Sequence, residues 1–394
     1  MTVEKPTSQL LQILQGSSPA QRVLAARRPD RRIADSVRFP YLALVGQVEM
    51  KLALILAVVN PNLGGVLLIG PRGTGKTTAV RGLVELLPQV PRSTCVNGCE
   101  PEAAYAIGID GVCPECAVKL GRGESITAPD KMRLVELPLN ARLEDVVGGI
   151  DERIALEQNK VRLAPGILST ADQNLLYIDE VNLLDHAVAD AILDAAAQGQ
   201  YTVRRGPMAA THRSRLVLIG SMNPEEGRLR PQIQDRFGLR VLVRGAPHAA
   251  QRLEIYRRVL DFKINPHALA AAWAEETVVV AQEIAAARSR LSDVTIPAPL
   301  EQLGLKWIRD LGIDSHRAEV TLFEAARARA AADERREVAL DDLQATAPMA
   351  LRQRRSQFID EFFAHQHRED VEIARVLRVP GRHRRSRPTR SRRK

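Results

Sequence analysis

The run Gly70-Pro71-Arg72-Gly73-Thr74-Gly75-Lys76-Thr77-Thr78 holds the groups best suited to chemistry in this chain of 394 residues. Gly70, Gly75, Lys76 and Thr77 have the spacing of a phosphate-binding loop. Glycines let backbone N–H groups close around phosphate oxygens, and a helix start adds the positive end of its dipole. Lys76 is placed to reach β- and γ-phosphates, and the Thr77 hydroxyl to ligate Mg²⁺. The whole run from Gly70 to Thr78 is therefore the candidate nucleotide cradle.

Two further segments supply groups that hydrolysis needs. The apolar run Leu175-Leu176-Tyr177-Ile178 ends in Asp179-Glu180. A carboxylate at the end of a parallel strand lies at the ligand-binding edge of an α/β sheet. Asp179 is placed to hold Mg²⁺ and Glu180 to polarise an attacking water. The apolar run Arg215 to Gly220 leads into Ser221-Met222-Asn223-Pro224, where Asn223 is placed to orient that water. Arg230 and Arg236 follow in LRPQIQDRFGL. A mobile cation near a subunit boundary neutralises charge developing on a transferred phosphoryl group.

These groups require a scaffold. Val66-Leu67-Leu68-Ile69 reads as a buried strand before the loop, and Thr77 to Leu87 as the helix after it. Alternating strand and helix patterns from 38 to 244 predict a parallel sheet covered on both faces. Tyr41 to Val59, broken by Gln47, Glu49 and Lys51, reads as an amphipathic helix. Gly245-Ala246-Pro247 marks a break. Beyond it, helical spacing dominates, so residues 245–366 read as a helical linker and a smaller all-helical C-terminal domain. Residues 1–37 read as a flexible extension with one short helix from Ser8 to Gln15, and 367–394 as a basic tail, disordered from 381.

All four cysteines, Cys95, Cys99, Cys113 and Cys116, fall in a cysteine-rich insertion, 95–116. Two close thiol pairs suit tetrahedral coordination of one structural Zn²⁺. An iron–sulfur cluster, a redox pair and four free thiols are the competing readings. His186, His212 and His248 have no paired ligands in sequence and read as ordinary polar residues.

In this order the segments resemble an AAA+ ATPase, and more narrowly the ATPase (I) subunit of magnesium chelatase. The matching strings are VGQVEMKLALILAVVNPNLGGVLLIGPRGTGKTT, LLYIDEVNLLD, GSMNPEEGRLRPQIQDRFGL and DSHRAEVTLFEAARARAA. They span roughly Phe39 to Arg355, and NPEEG-x-LRPQ-x-x-DRFG is far more specific than the phosphate loop. The resemblance implies an AAA+ P-loop core with helices on both faces and a helical lid. It makes Asn223 the sensor-1 residue, Arg236 the arginine finger acting on a neighbour's nucleotide, and Arg317 the sensor-2 arginine, facing nucleotide if the lid folds over the core. Arg230 is a further contact. It also implies a helix-2 insertion hairpin at 149–168 and a pre-sensor hairpin near Gln200 to Arg215. The sensor-2 segment reads SHRAE where the family usually has Gly-Leu-Arg-Gly.

By this resemblance the chain hydrolyses ATP, with Mg²⁺, in a homo-oligomeric ring, expected to be a hexamer. The ring drives a metal-chelatase ligase that inserts Mg²⁺ into protoporphyrin IX in (bacterio)chlorophyll synthesis. Its partners are a second AAA+-like subunit and a large porphyrin-binding subunit. The alternatives are a cobalt chelatase ATPase subunit and a MoxR-like chaperone ATPase.

Composition fits that class. Charged residues are 26% and apolar ones 45%, ordinary for a globular protein. Aromatics are 4%, too few for base-stacking platforms, so no nucleic-acid partner is expected. No transmembrane run or signal-peptide core is evident, which predicts a cytoplasmic protein. The net charge of +9 is local: Gly381 to Lys394 holds seven Arg and one Lys, and removing those leaves +1 for the other 380 residues.

Overall fold

A computed structural model describes residues 37–95, 98–108, 111–150, 163–206, 208–355 and 357–377. The expected helix from Ser8 to Gln15, the tip of the hairpin insertion and the basic end from 378 lie outside the described residues. The described residues from Phe39 onward form one compact unit.

Its strands are β1 (Val66–Ile69), β2 (Gln89–Ser93), β3 (Thr127–Lys131), β4 (Leu134–Leu137), β5 (Gly148–Ile150), β6 (Leu163–Pro165), β7 (Leu175–Ile178), β8 (Gln200–Arg205), β9 (Met208–Arg213), β10 (Val217–Met222) and β11 (Leu239–Leu242). Five of them form the central sheet, in the order β11-β1-β10-β7-β4, and every pairing is parallel. The register sets Ile69 beside Met222 and Gly220 beside Ile178, so β1, β7 and β10 end along one edge.

β1 and β7 are apolar at every position because both of their faces are covered. Val66, Leu68, Leu175 and Tyr177 pack into one core, with α1 (Val48–Val59) and α2 (Lys76–Gly82). Leu67, Ile69, Leu176 and Ile178 pack into the other, against α3 (His186–Gln198) and α4 (Pro231–Arg236). Each such buried side chain contributes about 1.5–3 kcal/mol, so β1 and β7 place their polar neighbours at their ends.

Three antiparallel hairpins project from this layer. β2 pairs β3 and carries the cysteine insertion between them. β5 pairs β6 at the base of the expected insertion hairpin, and β8 pairs β9 at the expected pre-sensor position.

Two local expectations are corrected. The predicted helix from Tyr41 to Val59 is interrupted: a single 3-10 turn, Tyr41–Ala43, precedes α1. Gly46 and Gln47 both take positive φ, and the Gln47 amide donates to the Arg244 carbonyl at 2.7 Å, so tertiary contact wins over periodicity. The helix after the loop also ends early, at Gly82, and continues as a 3-10 turn from Leu83 to Leu86.

The C-terminal helices are α5 (Ala249–Ile264), α6 (Ala274–Arg290), α7 (Ala298–Asp310), α8 (His316–Ala332), α9 (Leu340–Leu351) and α10 (Gln357–Leu377), with shorter elements between them; α10 carries helix past 366, into the segment expected to be tail. Ile284 of α6, Leu322 of α8 and Leu343 of α9 join the same core as Val66 and Leu68. The lid is thereby packed onto the sheet face. Asp342, fully buried at the start of α9, receives Arg329 at 2.5 Å and Arg335 at 2.7 Å, and accepts from the Ala339 N–H at 2.8 Å. Burial alone would raise its carboxyl, but the hydrogen bonds from Arg335, the Ala339 N–H and Arg329 hold it below the ordinary carboxylate range.

Asp342→Asn should cost about 3 kcal/mol, because two arginines then lose a buried counter-charge. With a depressed carboxyl, the wild-type contribution is present above about pH 4 and is lost as pH falls through the folded-state value. Denaturant melts of both proteins at neutral and acid pH check this. An equal midpoint at neutral pH removes the network from the account of lid stability.

Candidate functional site

The parallel edge brings the sequence-predicted hydrolytic groups together. A cavity of about 230 Å³ is lined by Arg72, Gly73, Thr74, Gly75, Lys76, Thr77, Thr78, Asp179, Glu180, Ser221, Met222 and Asn223. Gly70 follows β1 directly, and a Cβ there would lie 2.0 Å from the Val243 carbonyl oxygen, so only glycine lets β1 and the chain after β11 approach. Gly75 has φ +87 at the start of α2, a left-handed conformation that side chains resist.

Lys76 is buried at the mouth of α2, and its Nζ donates to the carbonyls of Gly70 at 2.6 Å and Pro71 at 2.8 Å. Burial pulls this ammonium below its usual value, while Asp179, Glu226 and Glu180 pull it back up. It is the buried cation of the loop, whereas Arg72 is exposed.

Asp179 is gripped by three hydroxyls. Thr77 Oγ1 donates at 3.2 Å, Tyr177 OH at 2.9 Å, and Ser221 Oγ at short range. Thr77 and Tyr177 hydroxyls are also 3.1 Å apart. Burial pushes the Tyr177 hydroxyl far above its ordinary value, which keeps it a donor. Tyr177 and Ser221 were missed by sequence reasoning. The signal for Tyr177 was available: two residues before Asp179 on a strand, it shares a face with it.

Glu180 takes φ +52, a rare conformation for a non-glycine residue and one that stores strain at functional sites. Its N–H donates to Ser221 Oγ at 3.2 Å. The carboxylate lies 3.4 Å from Arg72, which also pairs with Glu226. Arg72 is thus both part of the loop and the steering partner of Glu180. Asn223 is buried, and its Oδ1 accepts from the Glu225 N–H at 3.3 Å, which leaves the amide nitrogen as its remaining donor group.

A second cavity, about 280 Å³, adjoins the loop and shares Gly73, Thr74, Gly75 and Thr78 with the first. Phe39, Leu44 and Met50 line it from the segment before the sheet, and Ile255 and Val259 from α5. Its apolar walls suit a flat heterocycle attached to a phosphate chain. No motif announced it, because its walls come from segments about 200 residues apart.

The arginines are elsewhere. Arg236, Arg317 and Arg354 line a separate cavity of about 310 Å³ with Gly64 and Gly238. Gly64 and Gly238 precede β1 and β11, so this cavity lies at the opposite edge of the sheet, four strand residues or roughly 13 Å from the loop. Arg317 is therefore not above its own chain's phosphate loop, because α8 is packed beside the N-terminal ends of the strands. Its guanidinium donates to Asp235 at 3.0 Å, and Asp235 also receives Arg354 at 3.1 Å. Arg236 pairs with Asp194, and Arg230 lies 3.5 Å from Asp190, both acids on α3.

The four cysteines are also brought together, between β2 and β3, away from the phosphate loop. The Cys116 N–H pulls the Cys113 thiol down to about 6, while burial pushes Cys116 up to about 12. No helix among the described residues is long and apolar enough to cross a membrane.

Comparison with known proteins follows the same lines. The family described as "Magnesium chelatase, subunit ChlI" matches residues 152–238, and the "AAA lid domain" matches 308–376. The "Magnesium-chelatase subunit ChlI homolog" of Methanocaldococcus jannaschii is 42% identical over 81% of this chain and 87% of its own. The "Magnesium-chelatase 38 kDa subunit" of Acidiphilium rubrum is 40% identical over 83% of this chain and 94% of its own. The crystal structure of a putative ATPase from Cytophaga hutchinsonii aligns with TM-score 0.51 at 18% identity, covering 86% of this chain and 92% of that one, which is a likeness of fold.

Ser221→Ala should weaken the apparent affinity for Mg·ATP about tenfold, the scale of one lost hydrogen bond to a charged group. Titrating ATP hydrolysis with Mg²⁺ reads this directly. A wild-type Mg²⁺ dependence in both Ser221→Ala and Tyr177→Phe would mean that Asp179 needs neither hydroxyl.

Proposed function

The chain belongs to the magnesium-chelatase subunit ChlI family, and from that premise we propose that it is the ATP-hydrolysing motor subunit of a magnesium chelatase, which drives insertion of Mg²⁺ into protoporphyrin IX by partner subunits. The observation that carries the reading is the approach of Thr77, in the phosphate loop, to Asp179, at the end of β7, within 3.2 Å. That pair joins a phosphate cradle to a carboxylate at one sheet edge. The relatives are themselves named as subunits, which supports partner subunits here. We place the chain in the cytoplasm.

The residues fit ATP with Mg²⁺. The positive-φ glycines Gly73 and Gly75 have open space around them, and Thr77 and Asp179 offer hard oxygen ligands. Thr77 and Asp179 would hold Mg²⁺, the loop from Gly70 to Thr78 the phosphates, and the apolar cavity beside α5 the base. When bound, Mg·ATP supplies the transferable phosphoryl group and neutralises charge on its oxygens.

This chain's own groups do the rest. Lys76 releases its contacts to Gly70 and Pro71 and donates to phosphate oxygens. Glu180 takes a proton from the attacking water through its carboxylate, aimed by Arg72 and by the constrained backbone. Asn223 holds that water through its amide nitrogen. Asp179, pinned by Tyr177 and Ser221, is held facing the loop.

Arg236 and Arg317 complete the site of a neighbouring copy. Both lie on the edge opposite the loop, beside Arg354, with Asp194 and Asp235 as counter-charges. A ring, with a hexamer as the expected form, sets this arginine face against the next chain's polyphosphate. Arg230, held at Asp190, flanks the same boundary.

Reconstitution with the partner subunits, protoporphyrin IX, Mg²⁺ and ATP should give ATP-dependent Mg-porphyrin. ATP hydrolysis without any porphyrin product would overturn the chelatase assignment while leaving the ATPase intact. In the isolated chain, Glu180→Gln should bind ATP and turn it over at least ~100-fold more slowly. Arg236→Ala should bind ATP and lose ~10³-fold in turnover. Mixing Arg236→Ala with Lys76→Ala should recover part of the rate, since one type of boundary then has both groups. Specific activity that is unchanged on dilution to monomers sinks the action in trans.

A further inference from the structure

The cysteine insertion is not used by the hydrolytic site, and it has a chemistry of its own. Cys95, Cys99, Cys113 and Cys116 place one sulfur each within 4.8 Å of all the others. Cys95 and Cys99 are 3.8 Å apart, and Cys95 and Cys113 are 3.5 Å apart. A disulfide needs about 2.05 Å, so these thiols are not paired. A zinc ion with Zn–S bonds of about 2.3 Å holds its four sulfurs at tetrahedron edges of about 3.8 Å. An iron–sulfur cluster interposes several irons and sulfides and spreads its four thiolates further. The spacing fits one ion.

The surroundings suit thiolates. The Cys113 N–H donates to Cys99 Sγ at 3.2 Å, and the Cys116 N–H donates to Cys113 Sγ. Such donors orient and stabilise metal-bound sulfur. The two pairs sit on two turns. Gly98, at φ +66, closes the first with its N–H on the Cys95 carbonyl at 3.0 Å. Pro114 opens the short helix Pro114–Gly121 that carries Cys116.

Among its described residues the insertion has only a small apolar core of its own. Its own buried apolar cluster is Cys99, Val112, Cys116 and Ile126, and half of that cluster is cysteine. Units of this size rarely fold on so small a core without a metal or disulfides. Yet the insertion holds a demanding group in place. Glu100, adjacent to Cys99, is buried and meets Arg213 at 2.9 Å and Arg215 at 3.0 Å. Arg215 reaches on to Asp172 at 3.1 Å. Asp172 and Arg215 lead into β7 and β10, the strands that end in Asp179 and Asn223.

We propose that Cys95, Cys99, Cys113 and Cys116 bind one Zn²⁺ in a closed four-thiolate site, and that this ion folds the insertion and seats Glu100 between Arg213 and Arg215. The site has no open position and takes no part in hydrolysis. Its binding energy is folding energy of the insertion.

The full chain, purified without chelator, should contain one zinc per chain by elemental analysis. Cys113→Ser should retain at least tenfold less, and Lys76→Ala should retain all of it. After removal of metal from the wild-type chain, hydrogen exchange should rise at least tenfold across 98–126 and at Arg213 to Arg215. Added Zn²⁺ should restore protection, and α1 should not change. The wild-type measurement decides the matter even if Cys113→Ser fails to fold. Four freely titrating thiols with no metal uptake, or iron with sulfide in the isolated chain, overturn the site. Zinc that leaves without any change in exchange overturns its folding role.

Discussion

Parallel pairing of five strands, with both faces buried, is the constraint on which this structure turns. The strands β1 and β7, covered on both sides, carry no charge along their length, so their chemistry is deferred to their ends. Parallel direction then collects those ends. β1 delivers the loop, β7 delivers Asp179 and Glu180, and β10 delivers Ser221 and Asn223, all to one edge. The alternation of side chains adds a second effect. Tyr177 is buried in one core by its ring, yet its hydroxyl reaches Asp179 on the same face. One residue belongs to both the core and the site.

The opposite edge is organised by charge. Asp235 receives Arg240, Arg317 and Arg354, while Asp194 receives Arg236. Arg240 is buried, and burial together with Arg354 lowers it to about 10. It donates to the carbonyls of Arg352 and Gln353, so the end of α9 is fastened to the start of β11. This fastening fixes where α8 lies and therefore where Arg317 is presented. On the proposed reading, a chain with its cradle on one edge and its cations on the other is incomplete alone and complete in a ring. The lid contributes at both places: α5 walls the apolar cavity beside the loop, and α8 carries an arginine of the far edge.

The sequence by itself determined the phosphate loop, the acidic pair, the sheet that bears them and the helical region beyond Gly245. It could do so because these depend on local spacing: glycines before a lysine, carboxylates after four apolar residues, periodicity of 3.6. It also marked the cysteines, while the hairpins were implied by the family resemblance. What only the tertiary structure decided involves residues distant along the chain. The interruption before α1 follows from Gln47 reaching Arg244, a partner 197 residues away. The grip of Ser221 and Thr77 on Asp179 joins three strand ends that no local pattern relates. The apolar cavity needs Phe39 and Val259 side by side. The placement of Arg317 at the far edge follows from how α8 packs, which helical periodicity does not specify. Local spacing chooses which groups a chain offers; packing of the buried faces chooses where they meet.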